Sequence, residues 1–186
     1  MNSNPLKIVI AISGQAGSGK TTYSKALAKT FGLRYVSSGL LFRKLANELG
    51  VSLEEFHKIA EKEPKYDLMV DQRAIDEAER GGVVIEGHLA AWILKDLADI
   101  KIFFKAPLET RAKRIAERDG ISYENALRDI LFREESNRKR GLKLYNIDIT
   151  DWSIFDLIID TGNLPVNSII NIVTNYVTQY ILVHYF

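Results

Sequence analysis

The chain has 186 residues, a net charge of +1 and no cysteine. That length is one domain with enough chain to bury its own core. The near-neutral charge excludes a global field drawing the chain onto nucleic acid or membrane, and the missing thiols exclude disulfides, thiolate metal sites and cysteine nucleophiles.

The opening segment, MNSNPLKIVIAISG, carries an apolar run too short for a secretory leader. Lys7–Ser13 within it reads as a buried strand. It runs straight into Gly14-x-x-x-x-Gly19-Lys20-Thr21, and an amphipathic helix is predicted from Gly19 to Phe31, with Gly32 as its stop. A strand, a glycine-rich loop and a helix in that order form a cradle for polyphosphate. Gly14, Gln15, Ala16, Gly17, Ser18, Gly19, Lys20, Thr21 and Thr22 are therefore the candidate ATP-binding residues. Backbone N–H groups and the helix N-terminus would hold the phosphates, with Lys20 on the β- and γ-phosphates and the Thr21 hydroxyl on Mg²⁺.

Arg34–Ser37 is a second short strand, and GLLFRKLANELG a helix ending at Gly50. Ser52 opens another helix, with Glu55 completing a capping box. Val83–Glu86 is a buried-type strand after Gly81-Gly82. Its terminal Glu86 falls at the edge of the sheet where ligands bind, so it is the candidate second group near Mg²⁺; read alone, it is a strand-end acid bonded to a turn. Asp99–Ala106 is a fourth strand, followed by a helix with Pro107 at its start and Gly120 at its end. Ser122–Arg140 is a very polar helix, and Asp156–Asp160 the fifth strand. After Pro165 the apolar residues recur at 169, 172, 173, 176, 177, 180 and 181, a helix stripe packed on a core and not an all-round membrane span. The final ILVHYF either packs down or meets a partner subunit; no oligomeric state follows from the pattern. Strands alternating with helices predict an α/β fold, a five-stranded parallel doubly wound sheet.

The ordered segments ISGQAGSGKTT, YVSSGLLFRKLA, VVIEGHLAAW, KIFFKAPLETRAKRIAERDGISYENAL, REESNRKR and YNIDITDWSIFDLIIDT resemble those of nucleoside monophosphate kinases, most closely the archaeal-type cytidylate kinases. The likeness runs from Ile8 to about Asn171. It implies one P-loop kinase domain: a core of residues 6–37, 82–121 and 150–186, a helical acceptor-binding insertion at 38–81 and a helical lid at 122–149. It implies γ-phosphoryl transfer from ATP to CMP or dCMP, in cytoplasmic pyrimidine nucleotide metabolism. By the same resemblance Ser38, Gly39 and Arg43, then Asp71 and Arg73, then Gly87 and His88, line the acceptor pocket. Arg114 and Arg118 lie over the donor, and Arg133 and Arg140 reach from the lid to the transferring phosphoryl. Most members carry arginine where this chain has His88. Three roles stay open for that histidine: reading the pyrimidine, ceding the phosphate grip to the lid arginines, or structure alone.

The residue types suit the reaction in their own right. An acceptor phosphate is already anionic, so no general base is needed; cationic clamping and water exclusion are. Arg114 and Arg118 are four apart and Arg133 and Arg140 seven apart, each pair on one helix face, with Arg138 rotated away. Read singly, each is a solvated arginine. Other acceptors (AMP, UMP or a hydroxyl substrate with Glu86 as base) remain rivals, as does an ATP-binding factor acting on RNA. The last expects a basic stripe that the near-neutral composition does not supply.

Overall fold

A computed structural model describes residues 6–185. Residues 1–5, which begin the segment read against a leader, and Phe186, in the apolar terminal run, lie outside the described residues. The strands are β1 (Val9–Gly14), β2 (Arg34–Ser37), β3 (Val83–Glu86), β4 (Ile100–Lys105) and β5 (Leu157–Asp160). The helices are α1 (Lys20–Phe31), α2 (Ser38–Glu48), α3 (Leu53–Lys62), α4 (Lys65–Glu79), α5 (Ala90–Ile93), α6 (Leu108–Asp119), α7 (Tyr123–Tyr145) and α8 (Val166–His184). All strand pairs are parallel, in the order β2-β3-β1-β4-β5.

A parallel sheet has both faces covered, so its strands are apolar on both sides. On one face Ile10, Ile12, Val84, Ile100, Ile102 and Phe104 pack with Tyr23 and Leu27 of α1 and Ile169, Val173, Val177 and Ile181 of α8. On the other, Val9, Ala11, Val83 and Ile85 meet Ala74 and Ala78 of α4 and Ala90, Ala91 and Leu94. Each fully buried aliphatic side chain here stabilises by roughly 1.5–3 kcal/mol. Small residues on α4 and α5 let those helices approach closely. Trp92 packs edge-on against Phe103 and Phe155, so it belongs to the core.

Most predicted elements appear where the sequence puts them. The capping box forms in full, with Ser52 Oγ accepting from Glu55 N (3.2 Å) and Glu55 Oε2 accepting from Ser52 N (2.9 Å). Helix α7 runs past Arg140 to Tyr145 and stops at Asn146, whose φ is 54°. Along α8, Asn171, Asn175 and Gln179 face solvent as the stripe requires. Ile172 departs from it at 44% exposure, and Leu182 and Val183 do not pack down. Among the described residues no helix is long and apolar enough to cross a membrane.

Candidate active site

Strands β2 and β3 lie on one side of β1, β4 and β5 on the other. Crossovers therefore leave β1 in opposite directions, and a crevice opens beyond its carboxyl end. The glycine-rich loop fills that edge. A Cβ on Gly14 would stand 2.2 Å from the Phe104 carbonyl oxygen, so only glycine lets the end of β1 lie this close to β4. Gly19 caps α1 in the left-handed region (φ 89°) with no side-chain cap. The first N–H groups of α1 are thus left for an anion. Lys20 Nζ folds over the loop, donating to the carbonyls of Gly14 (2.8 Å) and Gln15 (2.9 Å). Burial pulls its ammonium down to about 8, against the fields of Glu86 and Glu134.

The loop borders a cavity of about 640 Å³, lined from this side by Ala16, Gly17, Gly19, Lys20, Thr21 and Thr22. Gly14, Gln15 and Ser18 shape it from behind. Gln15 Oε1 accepts from Ala106 N (3.1 Å), and Ser18 N donates to Gln15 O (3.2 Å).

Glu86 is buried at the end of β3 and lines the same cavity. Its Oε1 accepts from Thr21 Oγ1 (3.1 Å), Tyr35 Oη (3.0 Å) and Ser37 Oγ (2.6 Å). Ser37 also accepts from Leu40 N, capping α2. Thr21 and Glu86 thus form a pair of hard oxygen donors beside the phosphate loop. Among the described residues no cluster of three acidic or histidine side chains could cage a metal. Mg²⁺ suits such a sparse donor set, since it keeps waters and phosphate oxygens as most of its ligands.

Four arginines from three helices reach the cavity opposite the loop: Arg43 of α2, Arg114 and Arg118 of α6, and Arg133 of α7. Arg114 is held by Thr161, donating to its Oγ1 (2.9 Å) and carbonyl (2.7 Å). Thr161 in turn donates to the Ser18 carbonyl (2.9 Å), tying the turn after β5 to the phosphate loop. Arg118 is paired with Asp119 (2.6 Å) and Arg133 with Asp129 (2.6 Å). Burial lowers the pKa of Arg133; Asp129 opposes this, and the nearby charges of Arg43 and Arg118 add to it. Arg43, Arg118 and Arg133 thus lie within reach of one another's fields along one cavity, with Asp119 and Asp129 offsetting them in part.

Arg140 also lines the cavity, but it is bound into the far end. It pairs with Asp67 of α4, lies over Phe42 (4.9 Å) and donates to His57 Nδ1 (3.2 Å). His57 is buried, and burial with the fields of Arg140, Arg133 and Arg43 pulls it down to about 3. His88 lines the cavity too and is likewise pulled to about 3, by burial and then by Lys20 and Arg140. Its imidazole is neutral near neutral pH and can donate or accept a hydrogen bond there. Ser38, Gly39 and Gly87 complete this wall. A Cβ at Gly87 would stand 2.8 Å from Ser38 Cβ, so glycine is needed where β3's exit meets α2.

Arg73 is the sequence candidate placed outside: it pairs with the buried Glu77 (2.6 Å) one turn on in α4 and does not line the cavity. Arg138 points out to solvent and pairs with Glu135, as its rotation predicts. Sequence reading missed Phe42, His57, Asp67 and Asn137, which come together only through contacts between distant segments. It also missed Arg111 and Glu134. Arg111 Nη1 donates to Ala16 O (3.2 Å) and Glu134 Oε1 (2.7 Å), while Ala16 N donates to Glu134 (3.3 Å), so α6 and α7 clasp the phosphate loop. The signal was present for Arg111, which precedes Arg114 and Arg118 on one helix face.

Asp71 lines the cavity, and its Oδ2 accepts from Tyr145 Oη (2.6 Å). Burial pushes its carboxyl up from 3.8 to about 6. The folded chain then holds more protons than the unfolded chain between those values. This contribution to stability is complete below 3.8 and is lost as pH rises through about 6. Asp71→Asn keeps the acceptor for Tyr145 and removes the charge. Its melting temperature is expected to exceed the parent's at about pH 8, by roughly 2–4 °C per kcal/mol at this chain length, and to converge with it near pH 4. An equal or lower value at pH 8 would contradict the burial argument.

Residues 9–163 match the cytidylate kinase-like family. The cytidylate kinase of Pyrobaculum aerophilum is 54% identical over 169 residues, covering 91% of this chain and 92% of that one. Among solved structures, an uncharacterised protein from Eubacterium ventriosum superposes with a TM-score of 0.70 at 23% identity, covering 92% of this chain and 98% of that one. Shikimate kinase from Acinetobacter baumannii gives 0.59 at 17% identity, with 94% and 95% covered. Those two share the fold. The match over most of the chain, together with the identity to the archaeal relative, shows that this chain belongs to the cytidylate kinase-like family.

Proposed function

We propose that the chain transfers the γ-phosphoryl group of ATP to CMP or dCMP, giving ADP and CDP or dCDP from the cytoplasmic nucleotide pool. One observation carries this reading: a single cavity joins the phosphate loop to arginines from three helices, Arg43, Arg114, Arg118 and Arg133. A binding module needs the loop alone, and a hydrolytic switch adds an arginine on the γ-phosphate and a group that orients water, with no second polyanion to hold. Transfer between two polyanions needs both the loop and those arginines.

In this reading Lys20 leaves the Gly14 and Gln15 carbonyls and takes the β- and γ-phosphates of ATP, whose α- and β-oxygens accept from the loop N–H groups. Thr21 and Glu86 would hold Mg²⁺, which supplies charge neutralisation between the β- and γ-phosphates. Arg114 and Arg118 steady the donor, while Ser38, Gly39 and Arg43 take the acceptor phosphate. A bond forms from an acceptor phosphate oxygen to the γ-phosphorus as the bond to the β,γ-bridging oxygen breaks. The departing charge stays on ADP, held by Lys20 and the loop.

A hydroxyl acceptor fits less well. Glu86 Oε1 already accepts from three hydroxyls, and in this reading the carboxylate is taken up by Mg²⁺. His88, neutral in the wall between Lys20 and Arg140, is proposed to meet the acceptor nucleoside and not to grip its phosphate. Residues 38–81 and 122–149 are proposed as the parts that move. Beyond Ile130, α7 is held largely by polar contacts (Glu134 to Arg111, Arg140 to Asp67, Tyr145 to Asp71), which ligand phosphates and bases can exchange with.

The test is ADP release from Mg-ATP across a panel of CMP, dCMP, UMP, AMP and a short 5′-hydroxyl RNA. CMP or dCMP should stimulate most. Greater stimulation by AMP or RNA would overturn the substrate assignment.

A further inference from the structure

Arg114 of α6 is held differently from three other arginines on the cavity wall. Arg118, Arg133 and Arg140 each pair with a carboxylate, that of Asp119, Asp129 and Asp67 in turn. Arg114 rests instead on two neutral oxygens of a single residue. Its Nη1 donates to Thr161 Oγ1 (2.9 Å) and its Nη2 to the Thr161 carbonyl (2.7 Å). A planar guanidinium gripped at two points is fixed in orientation. A hydroxyl and a carbonyl carry no net charge, so the grip orients the cation without neutralising it. A charge held in place and still uncompensated is what a bound polyanion calls for.

Thr161 is itself fixed. It is fully buried, in the turn between β5 and α8. Its N–H donates to the Lys105 carbonyl at the end of β4 (2.8 Å). Its hydroxyl hydrogen has the Ser18 carbonyl at 2.9 Å, with the Lys105 carbonyl a longer alternative at 3.2 Å. Beside it, Gly162 N donates to Asp160 Oδ1 (2.8 Å), and a Cβ on Gly162 would stand 2.6 Å from Pro107 Cδ, so the turn lies directly on the start of α6. Ser18 sits between Gly17 and Gly19, which line the cavity along with Arg114. One hydroxyl oxygen thus accepts from the guanidinium and donates to the phosphate loop, setting the two in register.

We infer that Thr161 is a positioning residue for the donor nucleotide: it aims the Arg114 charge along the cavity and locks that aim to the phosphate loop. Thr161 does not line the cavity and acts only through Arg114. The inference rests on the ATP-donor reading above.

Thr161→Val keeps the branched shape and removes the hydroxyl. Arg114 then hangs on the carbonyl alone and can swing about that one bond. ATP affinity, titrated without acceptor and read again as KM, should fall roughly tenfold, the scale of one hydrogen bond to a charged group. KM for CMP should not change. Thr161→Ser, which keeps the hydroxyl, should retain the parental ATP affinity. Placed on Arg114→Ala, Thr161→Val should add little further loss, because both changes act through one guanidinium. Parental ATP affinity in a folded Thr161→Val protein would overturn the inference. So would its full loss recurring on Arg114→Ala, or a KM for CMP that rises in step with that for ATP, since a merely structural role gives those patterns. Should Thr161→Val not fold, Arg114→Lys carries the test with Thr161 intact. The ammonium keeps the charge but has no fork to span hydroxyl and carbonyl. ATP affinity should again fall about tenfold, and an unchanged value would refute the two-point seat. Failure of the unaltered protein to bind ATP would instead remove the functional reading on which the inference stands.

Discussion

Lys20→Met should lower turnover by at least ~100-fold in a folded protein, the scale of removing one preorganised charge from a transition state. The side chain keeps its length and helix propensity, and α1 keeps its glycine cap. What disappears is the ammonium that lies 2.8 and 2.9 Å from the Gly14 and Gln15 carbonyls. It lines the cavity beside Glu86, where burial pulls its pKa down and a charge acts on a phosphate with little screening. The same desolvation makes the charge costly to the fold, so the variant's melting temperature should match or exceed the parent's. Near-normal turnover with an intact fold would remove the phosphate loop from the chemistry.

Arg133→Ala is expected to act on the rate of transfer. Arg133 meets Arg43 and Arg118 from the opposite helix, and its buried Nε has no protein partner among the described residues. Asp129 and Asp119 offset these three charges only in part, so the cluster still favours an anion. Anionic charge is most evenly spread among the phosphoryl oxygens during transfer. The expected pattern is kcat reduced by about 100-fold or more, with much smaller changes in nucleotide binding. Thermal stability should fall, since partly buried Asp129 loses its ion-pair partner. A normal kcat with only raised KM would make α7 a fixed wall of the acceptor pocket and not a lid.

The sheet was legible because its three central strands, β3, β1 and β4, are short apolar runs bounded by turn residues, as burial on both faces demands. The phosphate loop was legible because a local sequence fixes a local shape. Helix α4 was less so. Its buried face is Val70, Ala74 and Ala78, with Glu77 held by Arg34 and Arg73, so the apolar stripe is thin and built of small residues. Helix α5 is a single turn, too short for any period to show.

The arginines divide along the same line. Arg133 and Arg140 do share a face of α7, as their spacing predicts. Seven residues also carry them about 10 Å apart along the axis. Arg133 thereby meets Arg43 and Arg118, while Arg140 reaches Asp67, His57 and Phe42. Face is readable from one sequence; the neighbours waiting at each height are not. His57 and Asp67 were invisible for that reason, since both act through Arg140, 83 and 73 residues away.

The central claim is transfer between two bound nucleotides, and the fate of the γ-phosphoryl tests it most directly. ATP labelled at the γ-position is incubated with Mg²⁺, the full chain and CMP, and the products are separated. The label is predicted to appear in CDP, in proportion to ADP formed and dependent on CMP. Label released as inorganic phosphate at a rate indifferent to CMP would contradict the account and make the chain a hydrolase with an idle second site.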